Sequence, residues 1–512
     1  MINQRNSIVA IYPILMLLAS ASRALPAPND VPLRPLEQSA LVVKDRDGGL
    51  VVANADGSAI EGIKLSQHDR MIASPSIAVA PDGIIHVAFL EQHRTTFAKA
   101  IYYRSSSDGG KSWTEAKNLT EDLPSMDVGR CEVLADARNR VYVIWRAAIQ
   151  GSFAVATDLA GSPASIWFRE LEGGKWSKAK PVTEPREGIA QYKDASYSFF
   201  AALDAAGRAQ VVWNVTPDKW HPELTTPNGR SLGVGNGLVF QSTLDGGSAG
   251  KPCEVFLPVV TPANTRPWPD NAGAWPSCDD LDTLNGYVDS AGMAHFVALA
   301  TMPMYGLPAH PPRYELIENG KAGQIIELPA LSFHAAKDIP TLLLDAKGKQ
   351  HVIALFLAGE HPNIRDYLLG SDDEPTVIRT AHGLNGSIGG FQARQGPGGR
   401  MIAIMQINDT GERSTEESYV SMSTGEGKWS VPVNVSNDSG QKTYVSKDTS
   451  AQSQLSRETG SQPGPGTAAF DADGHLLLVL IKLEYGIVHS AAFGVNIAGG
   501  GSVTPTLRFL KF

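Results

Sequence analysis

Three aspartates stand together at Asp279, Asp280 and Asp282. Carboxyl groups this close supply a general acid or base, and a carboxyl pair around a sugar linkage is what its hydrolysis requires. The cluster also offers oxygen atoms to a hard cation. It lacks the loop pattern of a calcium site, so a solvated acidic turn is the simpler reading, and no metal or cofactor is expected. A second set mixes a base with cations: His93 beside Arg94, then Arg130, Arg146 and Tyr197. Arginine binds a carboxylate bidentately. A His or Tyr next to a neutralised carboxylate can remove the adjacent proton, which is β-elimination from a uronic acid. Trp268 and Trp275 lie in a Pro-rich insert, and indole faces at a pocket rim suit the apolar faces of sugar rings. For each of these residues alone, surface charge or packing between sheets is the ordinary explanation. HExxH, GxSxG, a Walker phosphate loop and GxGxxG are all absent, which removes support for zincin, α/β-hydrolase and nucleotide-dependent chemistry.

These residues need a scaffold, and the chain repeats one. A short apolar strand, a turn and a second apolar strand recur seven times, anchored at Gly83, Asn139, Gly207, Gly292, Gly348, Gly399 and Gly474. Gly and Asn are the residues that best tolerate positive φ in a tight turn. The intervals run from 51 to 85 residues, and no stretch keeps a helical period. Units of that length suit a four-stranded sheet with variable loops. The expected fold is all-β: a β-propeller of seven four-stranded sheets, with six or eight as alternatives. Residues 70–512 form the propeller. Residues 25–69 are an N-terminal segment with strand-like runs that close the last sheet or form an extra one.

The first 24 residues read as a secretory signal: a basic start at Arg5, an apolar run over Ile8 to Leu18, and small residues around Ala19 to Ala24. The run is too short to span a bilayer and contains Pro13. Its removal takes the net charge from −9 to −11. A secreted or periplasmic chain follows, free of the membrane after cleavage, and expected to be a monomer. The acidic balance argues against nucleic acid as a partner. Three cysteines remain; Cys253 and Cys278 bracket the Pro-rich insert as a candidate disulfide, with three free thiols the alternative.

Ser106-Ser107-Asp108-Gly109-Gly110-Lys111-Ser112-Trp113 matches S-x-D-x-G-x-x-W. This resembles the Asp-box of the sialidase-like (BNR repeat) propellers. Glu170 to Trp176 and Ser423 to Trp429 keep only its Gly-Lys-Trp end. The resemblance implies that Asp108 and Trp113 are architecture: Asp and Ser side chains bond the turn amides, the Trp packs between sheets, and the turn faces away from the active site. It implies a carbohydrate partner and a sialidase-like glycoside hydrolase, with polysaccharide lyases and non-catalytic binding propellers as alternatives. Such sites use a Tyr paired with a Glu as nucleophile, which points to Glu484 and Tyr485, although adjacent strand residues point opposite ways unless the strand has ended. The family's Arg-Ile-Pro is replaced here by Ala73-Ser74-Pro75-Ser76-Ile77, so no arginine triad is assigned.

The repeat also sets which end works. The anchor turns and the Asp-box-like turn lie at one end. The long inserts, including 214–236, 258–280 and 437–465, lie at the other, where loops on a rigid scaffold carry binding and chemistry. His86, His295 and His351 each follow an anchor by three residues, and a position filled alike in three repeats belongs to the scaffold.

Overall fold

The computed structural model describes residues 41–44, 50–53, 62–66, 70–93, 96, 98–123, 126–149, 164–182, 199–215, 238–245, 248–249, 253–256, 280–301, 313–318, 321–327, 341–356, 363–371, 375–378, 387–396, 399–408, 416–425, 427–435, 466–490 and 497–512. Among them there is no α-helix, and the strands form seven sheets of at least four strands, antiparallel except where Leu50–Ala53 runs parallel to Val433–Asn434. Each sheet begins with an inner strand: Arg70–Val79, Met126–Ala135, Phe199–Leu203, Asp280–Val288, Thr341–Leu344, Ser387–Gln395 and Thr467–Phe470. Each inner strand touches the next, and the seventh touches the first. The inner strands thus close into a ring. The architecture is a β-propeller.

The seventh sheet is completed from the other end of the chain. Ile63–Lys64 pairs with Ile497–Lys511, with Ile63 opposite Phe509. The hairpin Leu41–Lys44 and Leu50–Ala53 instead joins the outer edge of the sixth sheet, through Val51 opposite Asn434. The turn at Ser106 to Trp113 then seals the first sheet on the seventh. Ser106 Oγ accepts from Gly110 N at 2.8 Å, Asp108 Oδ1 from Ser112 N at 2.9 Å, and the Trp113 ring meets Phe509 edge-on at 4.9 Å. The Ser112 and Ser106 hydroxyls and the turn amides hold the Asp108 carboxyl far below its usual range.

Hydrophobic cores lie between neighbouring sheets. The first and second share Leu90, Ile101, Val133 and Trp145; the second and third share Ile144, Phe168, Val211 and Trp213. The anchor turns explain themselves. All seven anchors have positive φ. Asp136, Asp204, Asp289, Asp345 and Asp471, each three residues before an anchor, accept backbone amides two and four residues on.

Polar groups at this end are buried and matched. Arg140 is 5% exposed; its Nε donates to Asp136 at 2.7 Å and its Nη1 to Glu170 at 3.4 Å, while Tyr142 Oη donates to Glu170 at 3.4 Å. His86 Nδ1 meets the Tyr103 hydroxyl at 2.6 Å, and Tyr103 packs on Trp176 of the second sheet. His351 Nδ1 meets Asp366 at 2.7 Å, and Trp429 of the sixth sheet donates to the other Asp366 oxygen at 2.9 Å. In each case a buried histidine bonds one residue, which touches a tryptophan of the next sheet.

Candidate functional site

Four inner strands break register at one level. The slips lie between Ala73 and Ser76, Val128 and Cys131, Leu281 and Thr283, and Ile388 and Gly390. All fall eight to ten residues before their anchors, toward the end of the inner strands away from the anchor turns. A bulge leaves one residue unpaired, bends the strand and re-aims its side chains. In the first sheet it puts Ser74 at φ 48°, directly before Pro75, a conformation that both its own Cβ and the proline oppose. Cys131 Sγ donates to the Ser74 carbonyl at 3.2 Å, so the next sheet supports the strained residue.

The bulge of the second sheet contains Arg130. Glu132 pairs with Ile144, Cys131 with Trp145 and Val128 with Ala147, so Arg146 stands opposite the bulge. Trp145 packs toward the first sheet, while Ile144 packs toward the third. Strand alternation therefore turns Arg146 toward the third sheet. Arg130 faces the same way, its guanidinium carbon 5.3 Å from the centre of the Phe199 ring. Glu132 is buried; one oxygen pairs with Arg130 and the other accepts from Ala201 N at 2.9 Å. The carboxylate thus orients the arginine and staples the second sheet to the third. On the sixth inner strand, burial lowers the pKa of Arg394, which the charge of Glu132 partly offsets. Cationic forks around a fixed carboxylate can seat a carboxylate or sulfate and exclude other orientations.

The other expected residues are distributed as follows. His93 ends the second strand of the first sheet and is half-buried. Its Nδ1 accepts from Thr96 N at 3.3 Å, so the neutral ring carries its proton on Nε2. Glu91, two residues before it, is buried. Asp280 and Asp282 lie on the fourth inner strand, and Asp282 is the bulged residue, at the level of Arg130. Glu484 and Tyr485 lie within Leu476–Ser490, paired with Thr504 and Val503, so the strand continues through both and successive residues alternate. Arg94, Asp279, Tyr197, Trp268, Trp275 and Cys278 lie outside the described residues, as do residues 1–24. Glu132, Phe199 and Arg394 were missed by sequence reasoning. For Arg394 a signal was present in the repeat itself.

Among the described residues, one cluster has metal-ligand spacing: Asp471, Asp473 and His475. It sits at the seventh anchor turn, at the opposite end. Asp471 already accepts from two backbone amides, from His475 Nδ1 and from Lys511 Nζ.

No protein-family model matches the chain, and no curated protein is similar to it. Solved structures are similar at low identity. The α-L-arabinanase of Penicillium chrysogenum is 13% identical, with TM-score 0.40, over 72% of this chain and 98% of that one. The leech intramolecular trans-sialidase is 11% identical, with TM-score 0.40, over 90% and 72%. An ulvan lyase, a polysaccharide lyase, is 11% identical, with TM-score 0.39, over 76% and 85%. The fold stands on the closed ring of sheets described above.

Proposed function

We propose that the protein is an exported, sialidase-like glycoside hydrolase that acts on an acidic glycan at the bulged end of its channel. The observation that supports this reading is the placement of Arg130 and Arg146 across one bulge, with Glu132 fixing Arg130. The arginines bind the sugar's acid group and set the ring in place. Asp282, on the same level of the fourth inner strand, is the first candidate for proton transfer, with Asp280 and Asp279 beside it. The reaction so conceived needs no cofactor, and the enzyme acts as a monomer outside the cytoplasm.

The test is incubation of the mature protein with acidic polysaccharides and sialylated glycans, reading product mass and ultraviolet absorbance together. Products carrying one added water without new absorbance are expected. Arg130→Gln should raise KM more than it lowers kcat, because the lost contact binds the ground state as well. An unsaturated, absorbing product end would replace hydrolysis by elimination. Tight glycan binding without product would replace it by a binding propeller.

A further inference from the structure

Among the described residues, positive φ belongs almost entirely to glycine; the two exceptions are Ser74 at 48° and Asn139 at 61°. Glycine enters that region without steric cost, so another residue there is retained for what its side chain does. Asn139 fits this rule. Its type tolerates the region, and its Oδ1 accepts from Asp82 N at 3.0 Å, which ties the second anchor turn to the first. Ser74 has no such bond. Among the described residues nothing hydrogen-bonds its hydroxyl; only its carbonyl is engaged. The hydroxyls of Ser76, Ser106, Ser112 and Ser177, by contrast, each bond a turn or a neighbouring strand.

The four bulges repeat the comparison. Their unpaired stretches hold Ser74 and Pro75 in the first sheet, Gly129 and Arg130 in the second, Asp282 in the fourth and Gly389 in the sixth. Glycine therefore serves in two bulges at this level, and a serine is not needed to make one. Packing does not call for Ser74 either: it is half-buried, while Ala73, Pro75 and Ser76 around it are buried. The strained residue is braced from the side, where Cys131 Sγ donates to its carbonyl at 3.2 Å. That contact sets Ser74 against the residue that follows Arg130, across the boundary between the first two sheets.

We propose that Ser74 is a substrate-binding residue of the glycan site: its hydroxyl, held by a strained and braced bulge, hydrogen-bonds a hydroxyl group of the bound sugar. The inference rests on the glycan reading given above and adds a neutral contact to the charged ones named there. A serine hydroxyl donates one bond and accepts others, which matches a sugar hydroxyl. Backbone strain that no bond within the protein offsets is the mark of a side chain kept for function at the expense of stability. A serine that only shaped the strand could become glycine with relief of strain and no other effect.

The test compares Ser74→Gly, which removes both hydroxyl and strain, with Ser74→Ala, which removes the hydroxyl alone. The mature protein is used, with sialyllactose and a hexuronate oligosaccharide as probes. Binding is read by calorimetry, and Tm is read without ligand. Wild type should bind one of the probes, and both variants should bind it about fivefold more weakly, the loss of one neutral hydrogen bond. Ser74→Gly should melt at or above wild type, and Ser74→Ala at or below it. Wild-type affinity in Ser74→Gly overturns the proposal. So does a Tm several degrees below wild type in that variant, which would make the hydroxyl structural, and so does a wild type that binds neither probe. Binding without turnover, weakened alike in both variants, would keep the Ser74 contact and remove the hydrolase reading. Turnover with unchanged kcat/KM in Ser74→Gly would keep the hydrolase and remove the contact.

Discussion

The second sheet carries an arginine–carboxylate group at each end, and the two are built differently. At the anchor end, Arg140 is sealed between Asp136 and Glu170, all three under 10% exposed, with Tyr142 closing the set. At the bulged end, Arg130 is 23% exposed at its side chain and pairs with the single carboxylate of Glu132. Two carboxylates to one arginine is a finished structure. One carboxylate on a partly exposed arginine leaves that group open to solvent. The same chemistry is sealed at one end and open to solvent at the other.

The largest effect should come from the sealed group. Arg140→Met strands two buried carboxylates and should cost about 3–5 kcal/mol in chemical denaturation. Arg130→Met should cost about 1 kcal/mol, because the pair is partly open to water, while acidic-glycan binding falls. Equal stability losses at both ends would break the comparison.

Next in size are the histidines, which give the anchor end two opposite pH responses. Burial pushes His86 down to about 4, against a weak pull from Asp82. Its neutral form is favoured by folding, so its contribution is intact above pH 6.5 and is lost as pH falls from there toward 4, about 3 kcal/mol in all. For His351, burial lowers the pKa, but the bond to Asp366 and the charges of Asp366 and Asp345 outweigh it and the value is raised. That contribution is present below pH 6.5 and is lost as pH rises through the raised value. Melting curves across pH should show His86→Asn flattening the acid limb and His351→Asn the neutral-to-basic limb. Two changes on the same limb would contradict this.

The tightness of the anchor end can be sharpened with two glycines. At Gly399 a Cβ would lie 2.3 Å from Ala346 N and 2.4 Å from Asp345 C, in the neighbouring anchor turn; at Gly292 nothing lies within 4 Å. Both have positive φ. Gly292→Ala should cost about 1 kcal/mol for backbone strain alone, and Gly399→Ala measurably more. The smallest effect is expected from Trp429→Phe, which removes one bond to Asp366 at about 1 kcal/mol, and should also shift the basic limb that His351 controls.

How much of this was legible in the chain follows from the range of each interaction. The anchor turns were, because an Asp three residues before a Gly bonds its own turn within five residues. The S-x-D-x-G-x-x-W turn was, for the same reason. The bulges were not: a slip such as Val128 to Cys131 exists only between two strands, and neither strand shows it alone. Arg130 and Arg146 were therefore expected separately, and only the ladder brings them together. Glu132 read as one more acid until its bond to Ala201 crossed a sheet boundary. Arg394 needed all seven inner strands compared at one rung, since it is unusual only against its six counterparts.

The closing of the seventh sheet has a consequence for how the molecule is made. Ser66 Oγ accepts from Leu507 N across 441 residues, and Phe509 fills the space beneath Trp113 and Gly110. Closing a chain loop of that length costs about 5 kcal/mol in entropy before any contact rewards it. The first sheet therefore lacks its last neighbour until residues 497–512 have been synthesised. Until that stretch is in place the sheets form an open arc, and its pairing with Ile63–Lys64 is the contact that closes the ring.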